Sequence, residues 1–223
     1  MKMASDPMLC LLQVNDSSYP SGAYAHSFGL EEMVDSGVVS TAAELESFLE
    51  RQVLPTLLCF EVPMFAKAYR AAQQCDPDAL LTLDQELDAW RIPAETREAS
   101  RRIGSQRLEL LETLEQEDWI TRFWKIQPRG HHLVVTAMEL SRVPLEHAAR
   151  AFAYQTIAGL IAASMKLIRI GQNACQKILR RILCLLGNQI DANLLSEPYG
   201  WFNPLLEISS LRHAHSHARL FIS

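Results

Sequence analysis

The chain has 223 residues, of which 48% are hydrophobic and 21% charged. That composition supports one sizeable packed core and excludes the low-hydrophobicity, high-charge pattern of disorder. A formal net charge of -5 excludes a general nucleic-acid binder, which needs a basic surface to neutralise phosphate. The cysteines Cys10, Cys59, Cys75, Cys175 and Cys184 are odd in number and form no Cys-x-x-Cys pair. They read as reduced thiols of a cytoplasmic protein, with neither a disulfide framework nor a zinc site.

In chain order, MKMASDPMLCLLQVND meets Asp6 and Pro7 before its short apolar run, which is not the layout of a secretory signal. PSGAYAHSFGLEE, residues 20–32, reads as a glycine-permitted turn leading into a helix over residues 28–35 that stops at Gly37. Thr41-Ala-Ala-Glu44 is a capping box, followed by Leu45, Phe48 and Leu49 at helical spacing. Asp76-Pro77 and Ile92-Pro93 repeat the start signal, because proline tolerates a first helical turn. From Pro93, PAETREASRRIGSQRLELLETL predicts one long helix. Arg97, Arg101, Arg102 and Arg107 form a basic stripe on it among Glu95, Glu98, Glu109 and Glu112, the pattern of a solvated face with i,i+4 pairs.

Pro144 opens another long helix. Its uncharged residues 151–165 fall short of the roughly 20 apolar residues a membrane span needs, so they predict burial, in the core or in a subunit contact. Gly171 interrupts, and QNACQKILRRILCLLGNQI resumes a helix that Gly187 weakens or ends. No period-two alternation with hairpin turns is present. The expectation is an all-α, single-domain bundle over residues 1–223.

For chemistry, Ala25-His-Ser-Phe-Gly29 nearly matches a nucleophile elbow. That motif works only where a strand turns into a helix, and no strand pattern precedes Ser27. There is no Gly-x-x-x-x-Gly-Lys-[Ser/Thr] and no His-Glu-x-x-His, so no catalytic residue is assigned. The tail LRHAHSHARLFIS places His213 and His217 at i,i+4, a helical spacing able to share nickel or zinc, while an extended tail would point His215 the same way as both. His131 and His132 diverge by about 100° on a helix and are not paired as ligands.

Four blocks then carry a resemblance: PSGAYAHSFGLEEMVDSGVV, ETREASRRIG, MKLIRIGQNACQKIL and SSLRHAHSHARLFIS. In this order they resemble the UreF-type urease accessory proteins. The resemblance implies an all-α, typically homodimeric, non-enzymatic protein of metallocentre assembly. Such a protein binds the UreD-type (UreH-type) accessory protein, recruits and regulates the UreG-type GTPase, and so supports nickel insertion into apo-urease. It implies no tightly bound cofactor, only nickel in transit, and neither a nucleic-acid nor a membrane partner.

Residue by residue, Pro20, Gly22, Ser27, Gly29, Leu30 and Glu31 match the first block. Thr96, Arg97, Lys166, Gly171 and Gln172 match the middle ones, and Arg212, His213, Arg219, Leu220 and Phe221 match the last. His26 stands where the family more often has another aromatic, and is counted with the partner-binding set. Ala214 and Ile222 depart from a frequent glutamate and arginine. The tail, from about residue 208 to 223, is expected to dock on the UreD-type partner. Phe221 and Leu220 would be its apolar anchors and Arg219 a charged contact. The alternative is a nickel carrier using His213 and His217.

Overall fold

A computed structural model describes residues 6–20, 27–199, 203–213 and 220–221. Helix α1 (Pro7–Asn15) starts where the Asp6 carboxylate accepts the N–H groups of Met8 and Leu9. Helix α2 (Leu30–Asp35) lies between two glycines with positive φ, Gly29 at 87° and Gly37 at 75°, a region that costs other residues strain. Helix α3 (Ala42–Phe48) carries the expected capping box, Thr41 Oγ1 accepting from Glu44 N–H and Glu44 Oε2 from Thr41 N–H.

Beyond α3 the chain stays helical through two π turns, Leu49–Val53 and Leu57–Glu61, on either side of the short α4 (Leu54–Thr56), before α5 (Val62–Gln73). Pro55 and Pro63 lie in this stretch. Each removes an amide donor and crowds the turn before it, and the widened turns let the helix pass both rings. Then follow α6 (Pro77–Trp90), α7 (Ala94–Glu115), α8 (Asp118–Ile126), α9 (His132–Glu139), α10 (Leu145–Leu167), α11 (Gln172–Gly187), α12 (Ile190–Asn193) and α13 (Pro204–His213). The fold is all-α, as expected.

Helix α5 packs against α6, α9 and α10, and α7 covers the other side of α9. The uncharged stretch of α10 buries Phe152, Ile157, Leu160 and Ile161 in the core and leaves Tyr154 and Met165 exposed. Among the described residues no helix is long and apolar enough to cross a membrane.

The arginine stripe of α7 is mostly internal, contrary to the solvated face expected of it. Arg107 is 2% exposed. Its guanidinium pairs with Glu139 and donates from Nε at 2.6 Å and to Gln155 at 3.2 Å, and it lies 5.2 Å from the Tyr19 ring centroid. Arg101 reaches the Asp88 carboxylate at 2.8 and 3.0 Å and the Arg129 carbonyl at 2.6 Å. Arg102 alone of the four holds the surface i,i+4 pair, with Glu98 at 3.8 Å.

The reason is register. Arg97, Arg101, Gly104 and Arg107 recur at three- and four-residue spacing, which is one helical face, and Gly104 shows which way that face points. A Cβ there would stand 2.0 Å from the Gly130 carbonyl oxygen. Beside it the His131 ring contacts Ser100 at 3.1 Å and Asp88 at 3.2 Å, and burial followed by the charges of Arg91 and Arg101 pushes its pKa down to about 3. His131 is therefore a neutral packing group.

Gly104→Ala should lose about 1–3 kcal/mol or more, since backbone and not a flexible side chain must yield. Gly159→Ala, with open space around its Cβ inside α10, should instead gain about 0.5–1 kcal/mol. Urea unfolding of the two variants checks both signs.

Candidate partner-docking site

The turn before α2 and the end of α13 meet in one buried cluster. Ser27 is fully buried, and its Oγ accepts the Glu31 N–H at 3.4 Å, a long bond that still places serine at the helix start. Gly29 lies against Ser209 and Ser210, to which a Cβ would come within 3.6 Å. Helix α13 thus presents small polar residues to the glycine turn, which permits close approach.

Glu31 stands in the first turn of α2, where the helix N-terminus favours an anion. Its carboxylate also holds the chain's other end. Oε1 accepts Leu220 N–H at 2.6 Å, Oε2 accepts Phe221 N–H at 3.0 Å, and Oε2 lies 2.9 Å from His213 Nε2. His213 Nδ1 lies 2.8 Å from Glu95 Oε1, in the first turn of α7. One imidazole, 1% exposed, is therefore clasped between carboxylates from two helices.

With an acceptor on each ring nitrogen, both nitrogens donate and the ring is the imidazolium. Burial lowers the His213 pKa, but the hydrogen bonds and charges of Glu95 and Glu31 outweigh it, so the net shift is upward.

This placement revises several expectations. His213 spends both nitrogens on carboxylates and has no lone pair for a metal. Its intended co-ligand His217 lies outside the described residues, as do Gly22, His26 and Arg219. Among the described residues no group of three or more His, Cys, Asp or Glu is arranged to hold a metal ion. Phe221 is no protruding anchor. It is 4% exposed, joins the chain's own core, and has the Lys166 ammonium 5.2 Å from its ring centroid. Leu220, by contrast, is 62% exposed.

Arg97 is occupied by the carbonyls of Arg91 and Ile92 at 2.6 and 2.7 Å, which closes the end of α6. Pro20, Gln172 and Arg212 are exposed, Gln172 as the first residue of α11. Leu30 is fully buried.

Sequence reasoning missed the polarity of α13. Its buried side chains are Glu207, Ser209, Ser210 and His213, whereas Leu205, Ile208 and Leu211 are 37%, 50% and 50% exposed. The apolar residues recur every third position and so share a face, and that face is turned outward with Arg212. The spacing was visible in PLLEISSLRH; which face pointed inward was not.

For the clasp, the His213 resonance should titrate above the ordinary histidine range of about 6.5. The linkage has a fixed sign. A raised folded pKa contributes stability that is fully present below about 6.5 and is lost as pH rises through the folded value. Nuclear magnetic resonance titration of the ring carbons checks this, and a midpoint at or below 6.5 contradicts the clasp.

A family model described as UreF matches residues 39–183. A urease accessory protein UreF of Bacillus sp. (strain TB-90) is 30% identical, with 97% of this chain and 99% of the relative aligned. One from Arthrobacter sp. (strain FB24) is 29% identical over the whole of both chains, so its alignment takes in Glu31 and His213, which the family match does not reach. On these matches the chain belongs to the UreF family of urease accessory proteins.

Proposed function

We propose that this protein is a non-catalytic docking scaffold of urease maturation, working in the cytoplasm as a homodimer. In this reading it binds the UreD/UreH-type accessory protein and recruits and regulates the UreG-type GTPase. By that route it supports nickel insertion into apo-urease. The observation that carries the reading is the inverted polarity of α13. A helix that buries serines, a glutamate and a histidine while exposing leucines and an isoleucine leaves an apolar stripe uncovered on its outer side. The exposed stripe is the kind of apolar face that marks a protein contact. Exposed Leu220, fixed beside the cluster by its bond to Glu31, extends the apolar surface offered by this end of the chain.

The carrier alternative, with nickel on His213 and His217, is disfavoured by the two carboxylates that already hold His213. The same contacts make truncation from Arg212 a poor test of docking, since it removes buried His213 and Phe221 together with the surface.

Ile208→Asp/Leu211→Asp is the cleaner variant, because both positions are half exposed. Size-exclusion chromatography with light scattering, first with the UreD-type protein and then with the UreG-type GTPase, should give a ternary complex with the native chain. The variant should keep its helical circular dichroism and lose affinity by about 30-fold or more, the scale of an interface hot spot. Undiminished assembly by the folded variant contradicts the docking face.

A further inference from the structure

A cavity of about 400 Å³ lies among α1, the two π turns, the start of α7, α10 and α13. Its volume falls in the range of roughly 300–1,000 Å³ typical of organic-ligand pockets. Leu57, Ile103 and Phe152 supply apolar wall, each 2% exposed or less. Glu61, carried by the second π turn, also faces the cavity and pairs with Arg91 at 3.2 Å, and wide helical turns of this kind recur at functional sites.

The unusual feature is a set of unanswered polar atoms. Asn15 Oδ1, Arg91 Nε and Glu207 Oε1 are buried without a hydrogen-bond partner, and all three residues line this one cavity. Glu207 is 7% exposed and Arg91 8%. A buried polar atom left unmet is unfavourable, so several around one space call for an occupant that meets them.

A fourth such atom on the lining, Arg107 Nη2, is ion-paired with Glu139, and Arg91 is ion-paired with Glu61, so both guanidinium charges are answered whereas the Glu207 carboxyl has no ion pair among the described residues. The open positions therefore favour an N–H-rich cation over an anion. The surrounding wall favours an apolar body behind it.

We propose that this cavity binds a small amphipathic amine, a ring-sized apolar group bearing a primary ammonium that donates to Glu207 Oε1. The site is separate from the outer face of α13 and stands or falls independently of the docking reading. Burial holds the Glu207 carboxyl above the usual carboxylate range, as expected of an acid whose cationic partner has yet to arrive.

The test uses the full chain alone, with 2-phenylethylamine as probe and 3-phenylpropanoate as its anionic counterpart, followed by isothermal titration and thermal shift. The expected result is saturable one-site binding of the amine and none of the anion. Glu207→Gln should weaken the amine by about tenfold, the scale of a charge-assisted hydrogen bond. Ile103→Trp should abolish binding by filling the space, and Ala163→Leu, which also lines the cavity, replaces it should the larger change unfold the chain. No saturable binding at millimolar amine, equal binding of both probes, or binding unchanged in the cavity-filled variant would overturn the proposal and leave water as the occupant.

Discussion

The carboxylate of Glu31 holds together parts of the chain up to 190 positions apart, and it does so from inside the protein, where an unpaired charge is strongly unfavourable. Its two oxygens meet two backbone N–H groups and one imidazole, and a second carboxylate, Glu95, engages the other ring nitrogen. Removing any member leaves a buried charge or donor without an answer. This one contact determines how α13 sits. Its polar face is drawn inward to the glycine turn and to the two acids, so its leucines and isoleucine are left outside. The surface proposed for docking is thus a consequence of an internal electrostatic requirement.

A second buried pair plays the same part deeper in the fold. Arg107 and Glu139, each side chain 2% exposed, join α7 to α9, and through Gln155 and Tyr19 they reach α10 and the segment that follows α1. Close approach at Gly104 and the neutral His131 keep α7 tight against the start of α9. Helix α7 therefore behaves as a spine, with Glu95 at one end holding the tail and Arg107 further along holding the core. A rigid spine suits a protein whose proposed role is to present surfaces to partners, because a preformed face loses less conformational entropy on binding.

Local signals made much of this legible beforehand. The Thr41–Glu44 capping box, the Asp76-Pro77 start and the break at Gly171 depend on neighbouring residues, and each appears where the sequence put it. The four blocks identified the family for the same reason, since they are linear patterns. What remained hidden was orientation. Nothing local says that Arg107 turns inward to meet Glu139, 32 positions later, or that His213 answers Glu31. The π turns have no local signal of their own, since a proline such as Pro55 or Pro63 marks a helix start or a break as readily as a place where a helix widens to pass it. The tail histidine looked like a ligand because i,i+4 spacing is visible in sequence, whereas the two acids that occupy it come from elsewhere in the fold.

The most direct test of the central claim, that the outward face of α13 is where a partner sits, is the alkylation rate at position 208. In an Ile208→Cys variant the rate would be followed by peptide mass spectrometry with and without the UreD-type protein, the native Cys75 and Cys184, both exposed, serving as internal references. A partner seated on that face should slow alkylation at 208 severalfold while at least one reference site keeps its rate. An unchanged rate at 208 within a complex shown to have formed would contradict it.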